Sequence, residues 1–396
     1  MPGYKYSVYN SAKRNTGNRR SGGGNKRRGE YINPERFIKA ATPMEETLYE
    51  SKHKFADFAV ATIIHDNLTA KGYETPSAIQ DQTIALGLEG NDVIGIADTG
   101  TGKTAAFAVP IINQIVTSQN SRALIVAPTR ELAQQIEDEC RSIGKGGGFT
   151  GALLIGGTGM GTQLRDLKNK PRLVIGTPGR IKDHMERGTL KLDLFNLVVL
   201  DEVDRMLDMG FVNDVSFILD SMAPIRQSFF FSATMDPRVQ GLIRTFSKDP
   251  KTVSVKSGET GANIHQDVVR FSGTHEKMEK LHDLLISNEV AKVIVFDETQ
   301  RNVEKLSNEL ITRGFKADAI HGGKSQGQRQ RALDNFKGNR TNVLVATDVA
   351  ARGIDVSDIT HVINYSQPQS YQDYVHRIGR AGRAGNVGYA ITFVSK

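Results

Sequence analysis

Residues 91–104 read NDVIGIADTGTGKT, and this stretch decides the fold. A run rich in valine and isoleucine leads into a glycine-rich turn, and the helical pattern TAAFAVPIINQIV follows at once. A strand, a loop of small residues and a helix in this order predict phosphate binding, because backbone N–H groups can wrap the phosphates and the helix N-terminus adds a favourable dipole. The loop starts with Ala97, where the strict pattern has glycine. We expect Lys103 to reach the β- and γ-phosphates and Thr104 to ligate Mg²⁺.

Similar apolar runs recur along the chain after this stretch. Continuous rather than alternating apolar runs predict strands that are buried on both faces, and strands that alternate with helices predict parallel sheets. We therefore expect an α/β protein with two tandem domains, each a mainly parallel sheet with helices on both faces. The predicted strands lie at 91–97, 122–128, 172–178, 197–202 and 228–234, and then at 292–298, 316–322, 342–348, 360–365 and 389–394.

Composition divides the 396 residues into four parts. Residues 1–50 are predicted to be a disordered, basic, glycine-rich tail, because such a segment has too little apolar surface to fold. The first domain is placed at 51–248 and the second at 265–396, and the linker between them at 249–264, where apolar periodicity is poor.

Charge is concentrated in the tail. The formal net charge is +7, yet residues 1–40 alone hold ten lysines and arginines against two glutamates. We read the tail as an arm that binds phosphates without sequence preference and whose tyrosines stack on bases, with a solubilising extension as the alternative.

The sequence shows neither a targeting signal nor a cysteine pattern that would indicate a function. The single cysteine, Cys140, excludes an intramolecular disulfide and argues against a cysteine-based metal site. The sequence has no apolar run of about 18 residues, and its N-terminus lacks the apolar segment of a secretory signal, so we expect a cytoplasmic protein with no membrane contact.

A carboxylate pair follows the predicted strand LVVL. Residues 201–204 read DEVD, and Asp201 is placed to hold Mg²⁺ while Glu202 is placed to orient or activate the attacking water. An acidic cluster alone would be read as a solvated turn, but the strand before it and the phosphate loop upstream favour the catalytic interpretation.

Arginines in the second half complete the predicted site. Residues 374–383 read YVHRIGRAGR. Hydrolysis of ATP needs positive charge at the γ-phosphate in the transition state, and arginines on a separate domain supply it only when the two domains close. Taken alone, the run would be read as an RNA-facing patch.

Nine motifs in order resemble those of the DEAD-box RNA helicases from about residue 50 to 396. They are GYETPSAIQ (72–80), ADTGTGKT (97–104), PTRELA (128–133), GG (156–157), TPGR (177–180), DEVD (201–204), SAT (232–234), ATDVAARGID (346–355) and HRIGRAGR (376–383). The resemblance implies two RecA-like domains and an enzyme that uses ATP and Mg²⁺.

The resemblance also implies roles for single residues. Catalysis falls to Lys103, Asp201, Glu202, Arg380 and Arg383, and Asp204, Ser232, Thr234 and His376 couple hydrolysis to strand separation. Nucleotide contacts are implied for Phe55, Thr75, Gln80, Asp98, Thr99, Gly100, Thr101, Gly102, Lys103, Thr104, Gly353 and Asp355. RNA contacts are implied for Pro128, Thr129, Arg130, Gly156, Gly157, Thr177, Gly179 and Arg180, and for Gln326, Arg329 and Thr347.

The chain departs from the family pattern at a few positions. Val203 stands where the family has alanine, and Asp297 and Glu298 are more acidic than usual, which would weaken RNA binding. With no RNA-targeting module expected after the last strand, targeting would fall to the tail or to protein partners.

The implied function is an ATP-dependent RNA helicase that acts as a monomer. It closes on single-stranded RNA with ATP and separates short duplexes irrespective of sequence. An ATP-gated RNA clamp without productive unwinding is the alternative, and a DNA-translocating helicase is a third reading that the motif set disfavours.

Overall fold

The computed structural model of the chain describes residues 32–41, 49–98, 100–255, 263–287, 290–351, 356, 358–382 and 386–396. These residues form two parallel β-sheets, one in each half of the chain, with helices packed on both faces. The predicted α/β class and the two tandem domains are confirmed.

The first sheet has seven strands in the order β3-β4-β2-β5-β6-β1-β7, and every recorded pairing is parallel. The strands are β1 (Val93–Ala97), β2 (Ala123–Val126), β3 (Gly151–Leu154), β4 (Leu173–Gly176), β5 (Leu197–Leu200), β6 (Gln227–Ser232) and β7 (Lys251–Val255).

Nine helices surround this sheet in the described part of the first half. They are α1 (Thr62–Ala70), α2 (Ala78–Leu88), α3 (Lys103–Thr117), α4 (Arg130–Ile143), α5 (Met160–Lys168), α6 (Pro178–Glu186), α7 (Val203–Asp208), α8 (Val212–Asp220) and α9 (Pro237–Phe246). A short 3-10 turn at Phe55–Asp57 precedes α1.

The second sheet has six strands in the order β10-β11-β9-β12-β13-β8, again parallel throughout. The strands are β8 (Ile264–Phe271), β9 (Val293–Phe296), β10 (Ala317–Ile320), β11 (Val343–Ala346), β12 (His361–Asn364) and β13 (Gly388–Ser395). The helices are α10 (Gly273–Leu285), α11 (Gln300–Thr312), α12 (Gln326–Lys337), α13 (Asp348–Ala351) and α14 (Tyr371–Ile378).

Burial on both faces explains why the strands read as continuous apolar runs. In β6, Phe229 and Phe231 join the core on one face of the first sheet, while Phe230 joins the core on the other. All three rings are fully buried. Alternate side chains thus reach opposite cores, as the parallel-sheet prediction required.

Three strands escaped the sequence prediction. β3 is short and follows a glycine run, and β7 lies within the predicted linker. β8 is an edge strand whose burial alternates along IHQDVVRF, so it lacks the continuous apolar run by which the other strands were found. Since β7 pairs with β1 and Ile264 already belongs to β8, the predicted linker of 249–264 was too wide.

The predicted tail was also too long. Residues 32–41 contain a 3-10 turn at Pro34–Phe37, with Phe37 and Ile32 buried against the second domain. Burial of these two side chains provides the apolar contact that the basic composition did not predict. The earlier part of the predicted tail, residues 1–31, lies outside the described residues.

Candidate active site

The phosphate loop joins β1 to α3, as the sequence predicted. Gly100 and Gly102 have φ angles of 88° and 89°, a region that favours glycine, and a Cβ on Gly102 would collide with the amide of Gln80. Lys103 is buried and its Nζ donates to the Ala97 carbonyl at 2.8 Å. The ammonium group is therefore held beside the loop, and its other two N–H donors remain for a phosphate.

The start of α2 is bonded to this loop. Ser77 Oγ donates to the Thr101 carbonyl at 2.8 Å, and Gln80 Nε2 donates to the Gly102 carbonyl at 3.2 Å. Gln80 Oε1 also accepts from the Ser77 N–H at 2.8 Å, which closes a capping box. Gln80 therefore positions the phosphate loop, and its selection of adenine stays a prediction.

The carboxylate pair lies directly after β5, two strands away from the phosphate loop in the sheet order. Glu202 has a φ of 54° and a ψ of 54°, a left-handed conformation that is unfavourable for a non-glycine residue by about 1 kcal/mol. Arg205 Nη1 donates to Glu202 Oε2 at 2.7 Å, and both side chains are buried. This ion pair holds the glutamate in the strained turn.

The two neighbouring carboxylates have opposite pKa shifts. Burial raises the pKa of Asp201 to about 6, although the Lys103 charge opposes the shift. Burial acts in the same direction on Glu202, but the charges of Arg205, Lys103 and Arg380 outweigh it and lower its pKa. Glu202 is thus ionised at neutral pH, which is the state that a group orienting water requires.

The last residue of DEVD is bonded to the SAT segment after β6. The Thr234 N–H and hydroxyl both donate to Asp204 Oδ2 at 3.0 Å. Ser232 Oγ donates to the Thr234 carbonyl at 2.7 Å and accepts from the Asp204 N–H at 3.4 Å. Three of the four residues predicted to couple hydrolysis to strand separation, Asp204, Ser232 and Thr234, therefore form one network.

A cavity of about 260 Å³ lies between the two domains. It is lined by Lys103 and Glu202 from the first domain and by His376 and Gly379 from the second. Arg380 of the second domain is buried and its charge lowers the pKa of Glu202, so its guanidinium lies near this carboxylate of the first domain. The structure thus brings together the phosphate loop, DEVD and the arginine run that the sequence predicted as one site.

Arg377 has a different role from Arg380. Its guanidinium donates to both Asp348 oxygens, at 2.5 and 2.7 Å, and to the Ser366 carbonyl at 2.7 Å. A bidentate pair of this kind is rigid and specific. Arg377 therefore fixes α14 to α13 within the second domain.

An ion pair crosses the interface between the domains. Arg329 Nη2 lies 2.7 Å from Glu131 Oε2, although the geometry falls short of an aligned hydrogen bond. Both side chains are buried, 7% and 1% exposed. Burial raises the pKa of Glu131 while the Arg329 charge opposes that shift. Arg329 was predicted to contact RNA, and in this structure its partner is Glu131.

The other predicted RNA contacts occupy the loops after the strands and the first turns of the helices that follow. Thr129 caps α4 by accepting from the Leu132 N–H at 3.3 Å, and Arg130 lies against Gly156 and Gly157. The remaining members are Pro128, Thr177, Gly179 and Arg180 in the first domain and Gln326 and Thr347 in the second. Gly157 and Gly179 are exposed, whereas Gln326 and Thr347 are buried. Their RNA contacts stay predictions.

The structure locates only some of the predicted nucleotide contacts. Phe55 is 2% exposed and packs edge-on against Tyr73, with ring centroids 4.9 Å apart, so the ring belongs to the core. Thr75 is exposed, and Asp98 lines the interdomain cavity. Thr99, Gly353, Asp355 and Arg383 lie outside the described residues.

The structure shows the surroundings of the three residues that depart from the family pattern. Val203 is fully buried in the core that contains Phe230, so its additional methyl groups are packed. Asp297 is buried near the Lys277 charge, and burial raises its pKa. Glu298 is exposed and accepts from Gln369 at 3.3 Å.

Three functional candidates were missed from the sequence, namely Glu131, Arg205 and Asp348. Each directly follows a predicted site residue, since Glu131 follows Arg130, Arg205 follows Asp204 and Asp348 follows Thr347. Adjacency was the available signal, but Glu131 and Asp348 act through Arg329 and Arg377, which only the folded chain brings near.

Family comparisons agree with this geometry. The family model described as DEAD/DEAH box helicase matches residues 77–242, and the helicase conserved C-terminal domain matches 276–385. The ATP-dependent RNA helicase CshA of Limosilactobacillus reuteri is 43% identical over 343 residues, covering 86% of this chain and 69% of that protein. The chain belongs to the DEAD-box family of ATP-dependent RNA helicases. CshA of Listeria monocytogenes is 45% identical, with 86% of this chain and 66% of that protein covered.

Solved DEAD-box structures share the fold. S. cerevisiae Dbp5 bound to RNA and ADP BeF3 matches with a TM-score of 0.76 at 29% identity, covering 86% of this chain and 89% of that one. A double-deletion form of Mss116p bound to ssRNA and AMP-PNP matches with a TM-score of 0.75 at 30% identity, covering 85% and 73%. A DEAD box protein from Methanococcus jannaschii matches with a TM-score of 0.51 at 40% identity, covering 87% and 93%.

Within the described residues, no helix combines the length and the apolar character that crossing a membrane requires.

Proposed function

We propose that the chain is an RNA-stimulated ATPase that closes on single-stranded RNA with ATP and Mg²⁺ and locally separates short RNA duplexes. The observation that carries this proposal is the cavity to which both domains contribute, with Lys103 and Glu202 facing His376 and Gly379. Because neither domain alone supplies both sets, hydrolysis depends on closure, and ligands that favour closure stimulate it. A cytoplasmic monomer that binds RNA irrespective of sequence is part of the same proposal.

Likeness to liganded relatives supports the closed arrangement. The TM-score is 0.76 with Dbp5 bound to RNA and ADP BeF3 at 29% identity, but only 0.51 with the Methanococcus jannaschii protein at 40% identity. Sequence divergence therefore does not account for the lower score. Because all these chains share the two-domain fold, we attribute the difference to the relative placement of the domains.

In the closed state, the chemistry divides among named side chains. Lys103 donates to a phosphate oxygen. Glu202, kept ionised by Arg205 and Arg380, accepts a hydrogen bond from the attacking water and orients it. Arg380 supplies positive charge beside the γ-phosphate as negative charge develops there.

The donor set suits Mg²⁺. Asp201 and Thr104 would hold the ion through a carboxylate and a hydroxyl oxygen, the hard donors that it prefers. The described residues contain no group of three or more His, Cys, Asp or Glu placed to hold a metal. When bound, the ion would neutralise phosphate charge and favour the deprotonated form of Asp201.

RNA binding is proposed along the strand-end loops of both domains. Exposed Gly157 and Gly179 leave backbone N–H groups accessible, and Arg130 lies beside the first of them. Loops with backbone donors and single arginines suit sugars and phosphates rather than base edges. Binding is therefore expected to be independent of sequence.

The test is steady-state ATP hydrolysis with and without single-stranded RNA, together with release of a labelled strand from a short duplex. Glu202→Gln is the inactive control, because the amide keeps the size of the side chain and loses its charge. We expect RNA to stimulate hydrolysis strongly, and the variant to lose hydrolysis while it still binds RNA with ATP.

Each alternative function predicts a different result. Hydrolysis without strand release would identify an ATP-gated RNA clamp. Equal stimulation by DNA would identify a DNA-acting motor, because the 2′-hydroxyl that distinguishes RNA would be irrelevant. Hydrolysis that is indifferent to both nucleic acids would refute the proposal.

A further inference from the structure

Residues 32–41 precede the first domain in sequence but pack on the second. Phe37 is 1% exposed, and its ring lies 4.6 Å from the ring of Tyr374 on α14. Ile32 is buried in the same cluster, which also contains Ile378 and Ile264. We call residues 32–41 the strap.

Polar contacts fix the strap at its other end. Lys39 and Gln266 form an antiparallel bridge with two backbone hydrogen bonds, of 2.9 and 2.8 Å, at the β8 edge of the second sheet. The Ala41 N–H donates to His265 Nδ1 at 3.2 Å. The same Gln266 accepts from the buried Tyr374 hydroxyl at 2.9 Å, so strap, strand and helix share one hydrogen-bonded cluster.

The strap contacts the helix that leads into the catalytic arginines. Besides the Phe37–Tyr374 contact, the Arg36 guanidinium lies 3.8 Å from the centre of the Tyr371 ring, a cation–π distance. The same helix carries His376, which lines the interdomain cavity. Any contact that restrains this helix acts on a wall of the active site.

The chain then returns to the first domain after a short connection. Tyr49 donates its hydroxyl to Asp81 Oδ2 at 2.7 Å, the Lys52 N–H donates to the same oxygen at 2.8 Å, and His53 Nδ1 lies 2.6 Å from Oδ1. Asp81 belongs to α2 and is 1% exposed. Residues 42–48 join the two anchors, and eight Cα steps can span at most ~28 Å.

The domains are therefore tethered twice, once through residues 256–262 between β7 and β8 and once through residues 42–48. A single tether lets two domains rotate and separate freely, whereas a second one removes much of that freedom and lowers the entropy of the open state.

We propose that the strap is an intramolecular tether that holds α14 and favours domain closure, so that less RNA and ATP is needed to assemble the active site. This inference rests on the proposed function for its turnover readout, but its effect on domain distance does not.

The experiment cuts the chain between the strap and the first domain and leaves the strap itself in the protein. Residues 42–48 are replaced by a seven-residue cleavage site for a sequence-specific protease, and the same full-length preparation is compared before and after cutting. Energy transfer between dyes at Lys191→Cys and Asn308→Cys, both exposed positions, reports domain distance. Cys140 is fully buried and escapes labelling.

Cutting is expected to lower energy transfer without ligands and to raise the RNA concentration for half-maximal ATPase stimulation by at least fivefold, about 1 kcal/mol of coupling. The maximal rate at saturating RNA and ATP is expected to stay within about twofold, because the closed state itself is unchanged. Unchanged energy transfer and unchanged RNA dependence after complete cutting would overturn the inference.

Point variants in the uncut chain separate docking from tethering. Phe37→Ser removes the buried anchor and is expected to reproduce the effect of cutting, whereas Phe37→Leu retains an apolar anchor and is expected to restore most of the wild-type behaviour. Ile38→Ser is the matched control, because Ile38 is 53% exposed in the same segment. Equal behaviour of Phe37→Ser and Ile38→Ser would argue against the strap.

Failure of the proposed function gives a distinct pattern. If the uncut protein lacks RNA-stimulated hydrolysis, the proposed function fails, yet the change in energy transfer on cutting still decides whether the strap tethers the domains.

Discussion

The ion pair between Glu131 and Arg329 offers a sharp test of domain closure. Both side chains are buried in the closed arrangement, at 2.7 Å, while separation of the domains would return them to water. Removing one partner of a buried pair leaves an uncompensated charge, at a cost of about 3–5 kcal/mol. Because this pair lacks an aligned hydrogen bond, we take the lower end, about 3 kcal/mol, which corresponds to a roughly hundredfold shift in the closure equilibrium.

The variants are Glu131→Gln, Arg329→Gln and their combination, and the assay is RNA affinity in the presence of a non-hydrolysable ATP analogue. Each single change is expected to weaken RNA binding by up to a hundredfold, whereas the double variant is expected to lose less than the sum, since no lone charge is buried. Arg313→Gln is the control, because its pair with Glu279 is half-exposed and contributes roughly 0–1 kcal/mol. Additive losses in the double variant would refute an energetic coupling across the interface.

Three further predictions concern single side chains. Arg205→Gln removes the partner of Glu202 and is expected to lower kcat for ATP at least about tenfold with little change in KM, while Arg205→Lys retains part of the rate; equal kcat in both variants would contradict this. Asp81→Asn is expected to lower the free energy of unfolding by about 2 kcal/mol, through loss of charge-assisted hydrogen bonds such as that from Tyr49. Burial alone would raise the pKa of Asp81, but its hydrogen bonds lower that pKa below 3.8. The stabilisation is therefore present at neutral pH and disappears as the pH falls through the lowered pKa. Denaturant titrations at pH 7 and pH 3 measure the difference in unfolding free energy between the wild type and the variant, and a difference that grows in acid would contradict the assignment. Glu298→Gln removes an exposed negative charge near the proposed RNA path and is expected to tighten RNA binding about twofold at low salt, with no gain at high salt, as fluorescence anisotropy would report.

The sequence predicted the fold class and the centre of the site because both are local in the chain. Continuous apolar runs such as 197–200 read directly as strands buried on both faces, and a loop of small residues before a helix reads as a phosphate site. DEVD followed from its place after a strand, because the carboxyl ends of parallel strands share one edge of the sheet.

The edge strand β8 and the docked segment that contains Phe37 could not be predicted in the same way. β8 pairs with a single strand, β13, and its burial alternates, so its apolar content resembles that of a linker. Phe37 lies in a basic, polar stretch, and nothing local distinguishes it from an exposed aromatic. Its burial depends on Tyr374, which the fold supplies from the far end of the chain.

The sequence by itself thus determined which residues can carry the chemistry, since residue type, spacing and strand position are local properties. Only the tertiary structure decided that Arg205 holds Glu202, that Arg329 faces Glu131 and that the strap docks on α14. The physical reason is that an ion pair or a buried ring is stabilised by its partner, and distance along the chain gives no measure of distance in the folded protein.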